Sequence, residues 1–311
     1  MNDQTPTVLV LGGGPGRERQ VSLLSRAAVA AALTDAGHRV LERDITPDDT
    51  SALNEAADVI FPALHGRWGE GGPLQQLLEA RGIAYVGCGP EAAALAMDKF
   101  ATKRAAELAG VPTPPARLLD RQDPAQNTFR DLFADDGAGA VIKPIDEGSS
   151  VDVRICRSLD EADQAARELT DRYDRVMAER FVVGREMTVA IVGEKALPIL
   201  EIVPATAFYD YQAKYERDDT SYRFDVDLDA EAQQKLAADA LTLHRALGCR
   251  HLSRVDFVVD GAGMGWMLEI NTMPGFTSHS LLPMAAKHAG MAMPALCDRL
   301  VRLAMQMRAG R

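Results

Sequence analysis

The sequence predicts an α/β protein in which a parallel-sheet layer is followed by α+β units. Three observations carry that expectation. Apolar strands and amphipathic helices alternate through the N-terminal part of the chain, the pattern of a parallel sheet covered by helices. A proline cluster, Pro112, Pro114 and Pro115, breaks the alternation. Beyond it, β-type runs pair across glycine-bearing turns, most clearly in 253–271, SRVDFVVDGAGMGWMLEIN.

In chain order, residues 7–11, TVLVL, read as a buried strand. A glycine-rich turn follows, Gly12-Gly13-Gly14-Pro15-Gly16, and then a helical period that ends at Gly37. HRVLERD and ADVIFPAL read as the second and third strands. Ligands gather at the carboxyl ends of such strands, and Glu18 and His65 lie just past the first and third, so both point to one rim. Residues 84–98 read as a connector into the helix KFATKRAAELAG.

After the prolines, VIKP is a strand carrying Lys143, and the loop DEGSSVDV follows it. Ser158-Leu159-Asp160-Glu161 is a capping box that starts the next helix. RVMAERFV is a strand separated by Gly184 from two more strands, which span 185–203 around a turn at Gly193-Glu194. The polar segment 205–227 holds Tyr209, Tyr211 and Tyr215 and reads as a lid, since so long a loop in a compact unit is usually functional. A helix, AEAQQKLAADALTLHRALG, precedes the 253–271 hairpin, and an amphipathic helix near 292–308 closes the chain.

Composition narrows the function classes. The chain has 311 residues, 47% hydrophobic and 25% charged, as in ordinary soluble globular proteins. Its net charge of −11 and the lack of a basic block argue against a nucleic-acid partner. Cys88, Cys156, Cys249 and Cys297 are far apart and read as buried thiols of a reducing compartment. MNDQTPT has no basic region, VLVLG is too short for a signal-peptide core, and no run approaches membrane-spanning length. A cytoplasmic location is expected.

The hairpin carries the first chemical signal. With the turn at 261–264, Asp256 falls opposite Glu269 and Arg254 opposite Asn271, all on one face. Val255, Phe257, Leu268 and Ile270 are assigned to the apolar face. Two carboxylates directly opposite repel unless a cation lies between them, and hard divalent ions prefer such oxygen ligands. By itself the pattern fits a solvated hairpin face equally well. The glycine turn departs from a dinucleotide fingerprint, because Arg17 or Glu18 takes the place of the final glycine. No GxxxxGK[ST] loop occurs. Lys143 and the following Gly148-Ser149-Ser150 can present backbone N–H groups to phosphate, although a plain surface turn also fits.

Taken together, these blocks resemble the D-alanine–D-alanine ligases of the ATP-grasp superfamily. RERQVSL, ALHGRWGEGGPLQ, MDK, VIKPIDEGSSV, FYDYQAKY, RVDF and LEINTMPGFTSHSLLPMAA carry the resemblance nearly end to end. It implies an ATP-grasp fold with an N-terminal Rossmann-like domain at 1–96, a central subdomain at 97–183 and a C-terminal subdomain at 184–311 bearing the lid loop 205–227. It implies ligation of two D-alanines with ATP through an acyl phosphate, with two Mg²⁺ ions that Mn²⁺ can replace, and a homodimer.

The resemblance also implies roles by position. Glu18 would bind the ammonium of the first D-alanine in a network with Ser149 and Tyr215. Lys99 and Lys143 would contact the ATP phosphates, and Lys214 the transferred phosphoryl group. Glu179, Phe181, Val182 and Glu186 would hold adenine and ribose. Asp256, Glu269 and Asn271 would ligate magnesium. Arg254 and the N–H of Gly275 would stabilise the oxyanion, Ser280 and Leu281 would bind the second carboxylate, and His65 would sit beside the second amine. His279 is assigned to structure, and Glu70 to no role.

The chain departs from the pattern at Asp152, where glycine is usual, which puts a carboxylate near the triphosphate. Trp68, Arg180 and Arg223-Phe224 also depart from it. Competing readings are a ligase preferring D-lactate or D-serine second, a nucleotide-binding relative without ligase activity, and an NAD oxidoreductase.

Overall fold

The computed structural model describes residues 5–121, 128–133, 138–204 and 220–309. The chain forms three sheets. The first is parallel, ordered β2-β1-β3-β4, from β1 (Thr7–Gly13), β2 (Arg39–Ile45), β3 (Val59–Pro62) and β4 (Ala84–Tyr85). The apolar run of β1 is buried on both faces, as parallel strands are. Val8 and Val10 pack with α1 (Arg19–Asp35) and the C-terminal helix, numbered α9 below, through Val29, Leu33, Leu296 and Leu300. Leu9 and Leu11 pack on the other side with Leu74 and Leu78 of α3 (Pro73–Arg81).

Packing explains the glycine turn. A Cβ on Gly12 would lie 2.7 Å from the Cβ of Arg26 on α1, and one on Gly13 (φ +111°) would lie 2.1 Å from Asp44 Oδ1. Ser22 of α1 accepts a hydrogen bond from Gly13 N–H (2.9 Å) and donates to the Ala63 carbonyl (2.6 Å). Strand, helix and the end of β3 are thereby fixed to one another. Glu18 sits at the N-cap of α1 without capping it, so its carboxylate is left for other partners.

The second sheet is antiparallel, β5-β8-β6-β7, from β5 (Ala116–Asp120), β6 (Ala140–Pro144), β7 (Arg154–Cys156) and β8 (Arg175–Arg180). Between β7 and β8 runs α6 (Leu159–Arg172). Ala162, Ala165, Ala166 and Leu169 of α6 are buried at helical spacing, and Ser158 caps it through Glu161 N–H (3.2 Å), as expected. The third sheet, also antiparallel, is β12-β11-β9-β13-β14, with β10 beside β9. Its strands are β9 (Gly184–Val192), β10 (Lys195–Ala196), β11 (Leu200–Val203), β12 (Ser221–Arg223), β13 (Leu252–Asp260) and β14 (Gly265–Asn271). The remaining helices are α2 (Gly66–Glu70), α4 (Pro90–Met97), α5 (Lys99–Leu108), α7 (Ala230–Ala246), α8 (Leu281–His288) and α9 (Met293–Ala309).

Several expectations are revised. The connector 84–98 contains β4 and α4, because Pro90 starts a helix rich in alanine. After the turn at 193–194 only two residues pair back before the chain runs on to β11. The polar segment 205–227 includes strand β12, which extends the sheet through Ser221, Tyr222 and Arg223; residues 205–219 of the expected lid lie outside the described residues. On the hairpin, a register shift after Asp256 pairs Phe257 with Met267. Met267 is therefore the residue sealed in the core, while Leu268, assigned to the apolar face, lines a cavity on the other side. The four cysteines are buried and unbridged, in agreement with the sequence. No helix among the described residues is long and apolar enough to cross a membrane.

One core joins the first and third sheets: Val8, Val10 and Phe61 cluster with Ala190, Val192, Leu252 and Phe276. The Phe61 and Phe276 rings meet edge to face at 5.2 Å. This contact fixes the rim of the parallel sheet against the loop that follows β14.

Two buried histidines hold the start of β13. His251 Nδ1 accepts from Gly87 N–H (3.1 Å), and His244 Nδ1 meets Ser253 Oγ at 2.7 Å. Burial pushes both down from 6.5 to about 4, with the Arg250 charge adding to the effect at His251. A depressed histidine stabilises the fold above its unfolded pKa and loses that contribution as pH falls through the folded one. Unfolding free energy, read by denaturant titration, should therefore drop between pH 6.5 and 4, by on the order of 2–3 kcal/mol for each histidine. His251→Asn, which suits the left-handed backbone at φ 67°, should flatten this slope; an unchanged slope would contradict the assignment.

Candidate active site

A cavity of about 470 Å³ opens where the three sheets meet. Every predicted site residue that falls among the described residues lines it: Glu18, His65, Lys99, Lys143, Ser149, Glu179, Phe181, Val182, Glu186, Arg254, Asp256, Glu269, Asn271, Gly275, Ser280 and Leu281. Lys214 and Tyr215 lie outside the described residues.

One wall comes from the hairpin. Arg254 pairs with Asn271 and Asp256 with Glu269 across the strands, as the alternation predicts. The two carboxylates are each met by a cation. Arg254 grips Asp256 through Nε (2.9 Å) and Nη2 (2.7 Å), and the Thr188 hydroxyl donates to the same carboxylate (2.6 Å). Lys99 Nζ stands 3.2 Å from Glu269 Oε2 and donates to the Glu147 carbonyl (2.6 Å). Asn271 Oδ1 accepts from Met273 N–H (2.9 Å) and so orients the next loop. Among the described residues no group of three or more His, Cys, Asp or Glu side chains is placed to hold a metal ion. The two carboxylates and the amide form a hard-oxygen set that fits Mg²⁺ bound together with phosphate oxygens. It does not fit a metal held by protein alone.

The opposite wall is the rim of the parallel sheet. Ser149 Oγ donates to Glu18 Oε1 at 2.5 Å, so the loop after β6 touches the start of α1. His65 Nδ1 donates to the Met273 carbonyl (3.1 Å), which leaves Nε2 to accept from Ser25 Oγ (3.4 Å). Ser25 in turn accepts from Phe276 N–H (3.2 Å). Burial lowers the His65 pKa against the opposing pull of Glu18, which favours the neutral imidazole. Glu70 is buried beside it, accepts from Gly66 N–H (3.0 Å), and is pushed up to about 8 by burial and the Glu18 charge. A carboxyl so placed is protonated at neutral pH.

The floor is a buried ion cluster. Glu179 meets Lys143 Nζ at 2.5 Å and Lys103 Nζ at 2.8 Å. Lys103 also donates to Thr113 Oγ1 (2.7 Å) and the Pro114 carbonyl (3.1 Å). Burial raises the Glu179 pKa, but the two ammonium groups outweigh it and hold the carboxylate ionised below the usual range. Burial pulls Lys103 down to about 8. The carboxylate expected at adenine is thus the hub of two lysines, and only one of them was predicted. Lys103 was legible as the residue four positions beyond Lys99, on the same face of α5. Phe181 lies under the Arg157 guanidinium at 4.3 Å.

At the far end Gly275 passes so close to Ser280 that an added Cβ would be 2.7 Å from its Oγ. Ser280 precedes α8, and its Oγ accepts from Thr277 N–H (2.9 Å). The Leu281 side chain is buried, so its N–H is what it offers at the helix N-terminus. His279, assigned to structure, and Glu70, given no role, both line the cavity. The Asp152 carboxylate does not line it. It turns back to Arg172 and Tyr173, away from the position expected near a triphosphate.

Two family models match the chain, the D-ala D-ala ligase N-terminus over residues 36–88 and the D-ala D-ala ligase C-terminus over 106–302. A D-alanine–D-alanine ligase B of Chromobacterium violaceum is 46% identical, over 94% of this chain and 96% of its own. A D-alanine–D-alanine ligase of Aquifex aeolicus is 41% identical over 91% and 96%. The crystal structure of the Bacillus anthracis D-alanine–D-alanine ligase complexed with ATP superimposes with a TM-score of 0.84 at 30% identity, covering 99% of each chain.

The ion cluster predicts that Lys103→Met lowers the unfolding free energy by about 3 kcal/mol in urea, because Glu179 loses a buried partner. Lys103→Met with Glu179→Leu should recover part of that loss. A single variant as stable as the parent would contradict the pairing.

Proposed function

This chain belongs to the D-alanine–D-alanine ligase family, and we propose that it joins two D-alanines into D-alanyl-D-alanine with ATP, for peptidoglycan precursors. The observation that carries this reading is the meeting of Glu18 and Ser149 over the Asp256–Glu269–Asn271 face, in a chain matched by both ligase models. A carboxylate oxygen of the first D-alanine attacks the γ-phosphorus, the bond to ADP breaks, and an acyl phosphate forms. The second amine attacks the acyl carbon and gives up a proton, and inorganic phosphate leaves.

Each group in the cavity suits one part of that sequence. Glu18, held by Ser149, pairs with the first ammonium. Lys99 and Lys143 exchange their carboxylate partners for phosphate oxygens. Asp256, Glu269 and Asn271 hold magnesium, with manganese able to substitute. When bound, the metal neutralises negative charge on the phosphates. Arg254 and Gly275 N–H donate to the oxyanion that builds on the acyl oxygen. Ser280 and the Leu281 N–H take the second carboxylate at the N-terminus of α8. Neutral His65 is suited to receive the amine proton. Phe181, Val182, Glu186 and the Glu179 hub form the adenine and ribose end. Lys214 and Tyr215 are assigned the transferred phosphoryl group and the Glu18–Ser149 network on resemblance. The domain division at 96 and 183, closure of 205–227 as a lid, a homodimer and a cytoplasmic location belong to the same proposal.

A second reading is preference for another second substrate. The VanG D-Ala:D-Ser ligase of Enterococcus faecalis superimposes with a TM-score of 0.84, so the fold alone does not discriminate. Tyr215 within the AKY motif favours a dipeptide over an ester. Incubation with ATP, D-alanine and either D-serine or D-lactate should still yield D-alanyl-D-alanine as the main product by mass spectrometry; exclusive mixed product would overturn the choice. Glu269→Gln should lower kcat at least about 100-fold while leaving the melting temperature near that of the parent. Undiminished turnover would remove the metal assignment.

A further inference from the structure

We propose that Asp152 is a positioning residue, the anchor that holds the cavity-facing loop 147–152 in place when ligands occupy the loop's other two anchors. The proposal rests on the ligase reading for what fills the cavity, and on geometry for the anchor itself. Three contacts to described residues pin the loop. Lys99 holds the Glu147 carbonyl, Glu18 holds the Ser149 hydroxyl, and a cluster behind the loop holds Asp152. Lys99 and Glu18 both line the cavity, so both are engaged when phosphate and amino acid bind. Asp152 faces away from it. Its carboxylate accepts from Arg172 Nη1 (3.1 Å) and Nη2 (2.5 Å), from the Tyr173 hydroxyl (2.5 Å) and from Arg154 Nη2 (3.2 Å).

The backbone shows why such an anchor is needed. Ser149, Ser150 and Asp152 have φ values of 52°, 58° and 55°, the left-handed region that side chains other than glycine, asparagine and aspartate rarely adopt. Within the loop, Val151 N–H donates to the Gly148 carbonyl (3.1 Å) and Val153 N–H to the Ser150 carbonyl (3.4 Å). Aspartate serves both needs at once: it tolerates the conformation and its charge ties the loop to the end of α6. The Asp152 side chain is 11% exposed while that of Arg172 is 51% exposed, so the tie can be cut from the Arg172 side without opening the core. Its geometry is the two-pronged arginine–carboxylate pairing, the strongest of the surface ion pairs.

Arg172→Gln and Asp152→Ala should each raise the KM for ATP about tenfold while changing kcat much less, since the loop is displaced and no reacting group is removed. The double variant should be no worse than the worse single one, and Asp152→Asn should be closer to the parent, because asparagine keeps the backbone preference and can still accept hydrogen bonds. ADP affinity by calorimetry should weaken in parallel, and this readout stands even if the parent makes no dipeptide, in which case the ligase reading fails and not the anchor. An Arg172→Gln variant that binds ATP and ADP like the parent would overturn the proposal, as would additive effects in the double variant.

Discussion

Two like charges face each other across the β13–β14 hairpin, and the rest of the site is arranged around that fact. Asp256 and Glu269 are direct cross-strand partners, a placement that is unfavourable unless cations come between them. The protein answers locally, with Arg254 and Thr188 on Asp256 and Lys99 on Glu269. These partners stand at the wall of the cavity, largely shielded from solvent, with Arg254 13% and Lys99 11% exposed. On the floor the same problem is met by two cations, since Glu179 is shared by Lys143 and by Lys103, which Thr113 and Pro114 fix in place.

The shared core holds the rim of the parallel sheet against that face. The parallel sheet and the large antiparallel sheet bury Val8, Val10, Phe61, Val192, Leu252 and Phe276 in one cluster. Each such side chain contributes about 1.5–3 kcal/mol when taken from water. The packing sets the rim that carries Glu18 and His65 against the loop after β14. The polar chain Phe276–Ser25–His65–Met273 fixes orientation across this seam, and Ser149 to Glu18 ties the loop after β6 to the same rim. Membership of the D-alanine–D-alanine ligase family gives this arrangement its chemistry.

Departures from expectation have local causes. The bulge after Asp256 exchanges Met267 for Leu268 in the core, which strict alternation cannot anticipate. Asp152 read as a carboxylate beside phosphate, but its left-handed backbone turns the side chain to Arg172 and Tyr173. Phe224, another departure from the family pattern, stacks on His288 at 3.9 Å and so ties the end of β12 to α8. Nothing in the spacing of Glu70 sets it apart from a surface glutamate; burial and the neighbouring Glu18 charge, both tertiary, raise it to about 8.

By itself the sequence determined the strands and helices that carry a strong period and the pairing of Asp256 with Glu269, and its resemblance to the family picked out many of the side chains that line the cavity. Those features depend on alternation, helical spacing and irregular motifs, all of which are local along the chain. Tertiary structure alone decided which carboxylate meets which cation, that Glu179 is shared by two lysines, that burial raises the Glu70 carboxyl, and that Asp152 faces outward. Such outcomes depend on desolvation and on contacts between residues far apart in the chain, such as Ser149 with Glu18 and Lys99 with Glu269, and no local pattern encodes them.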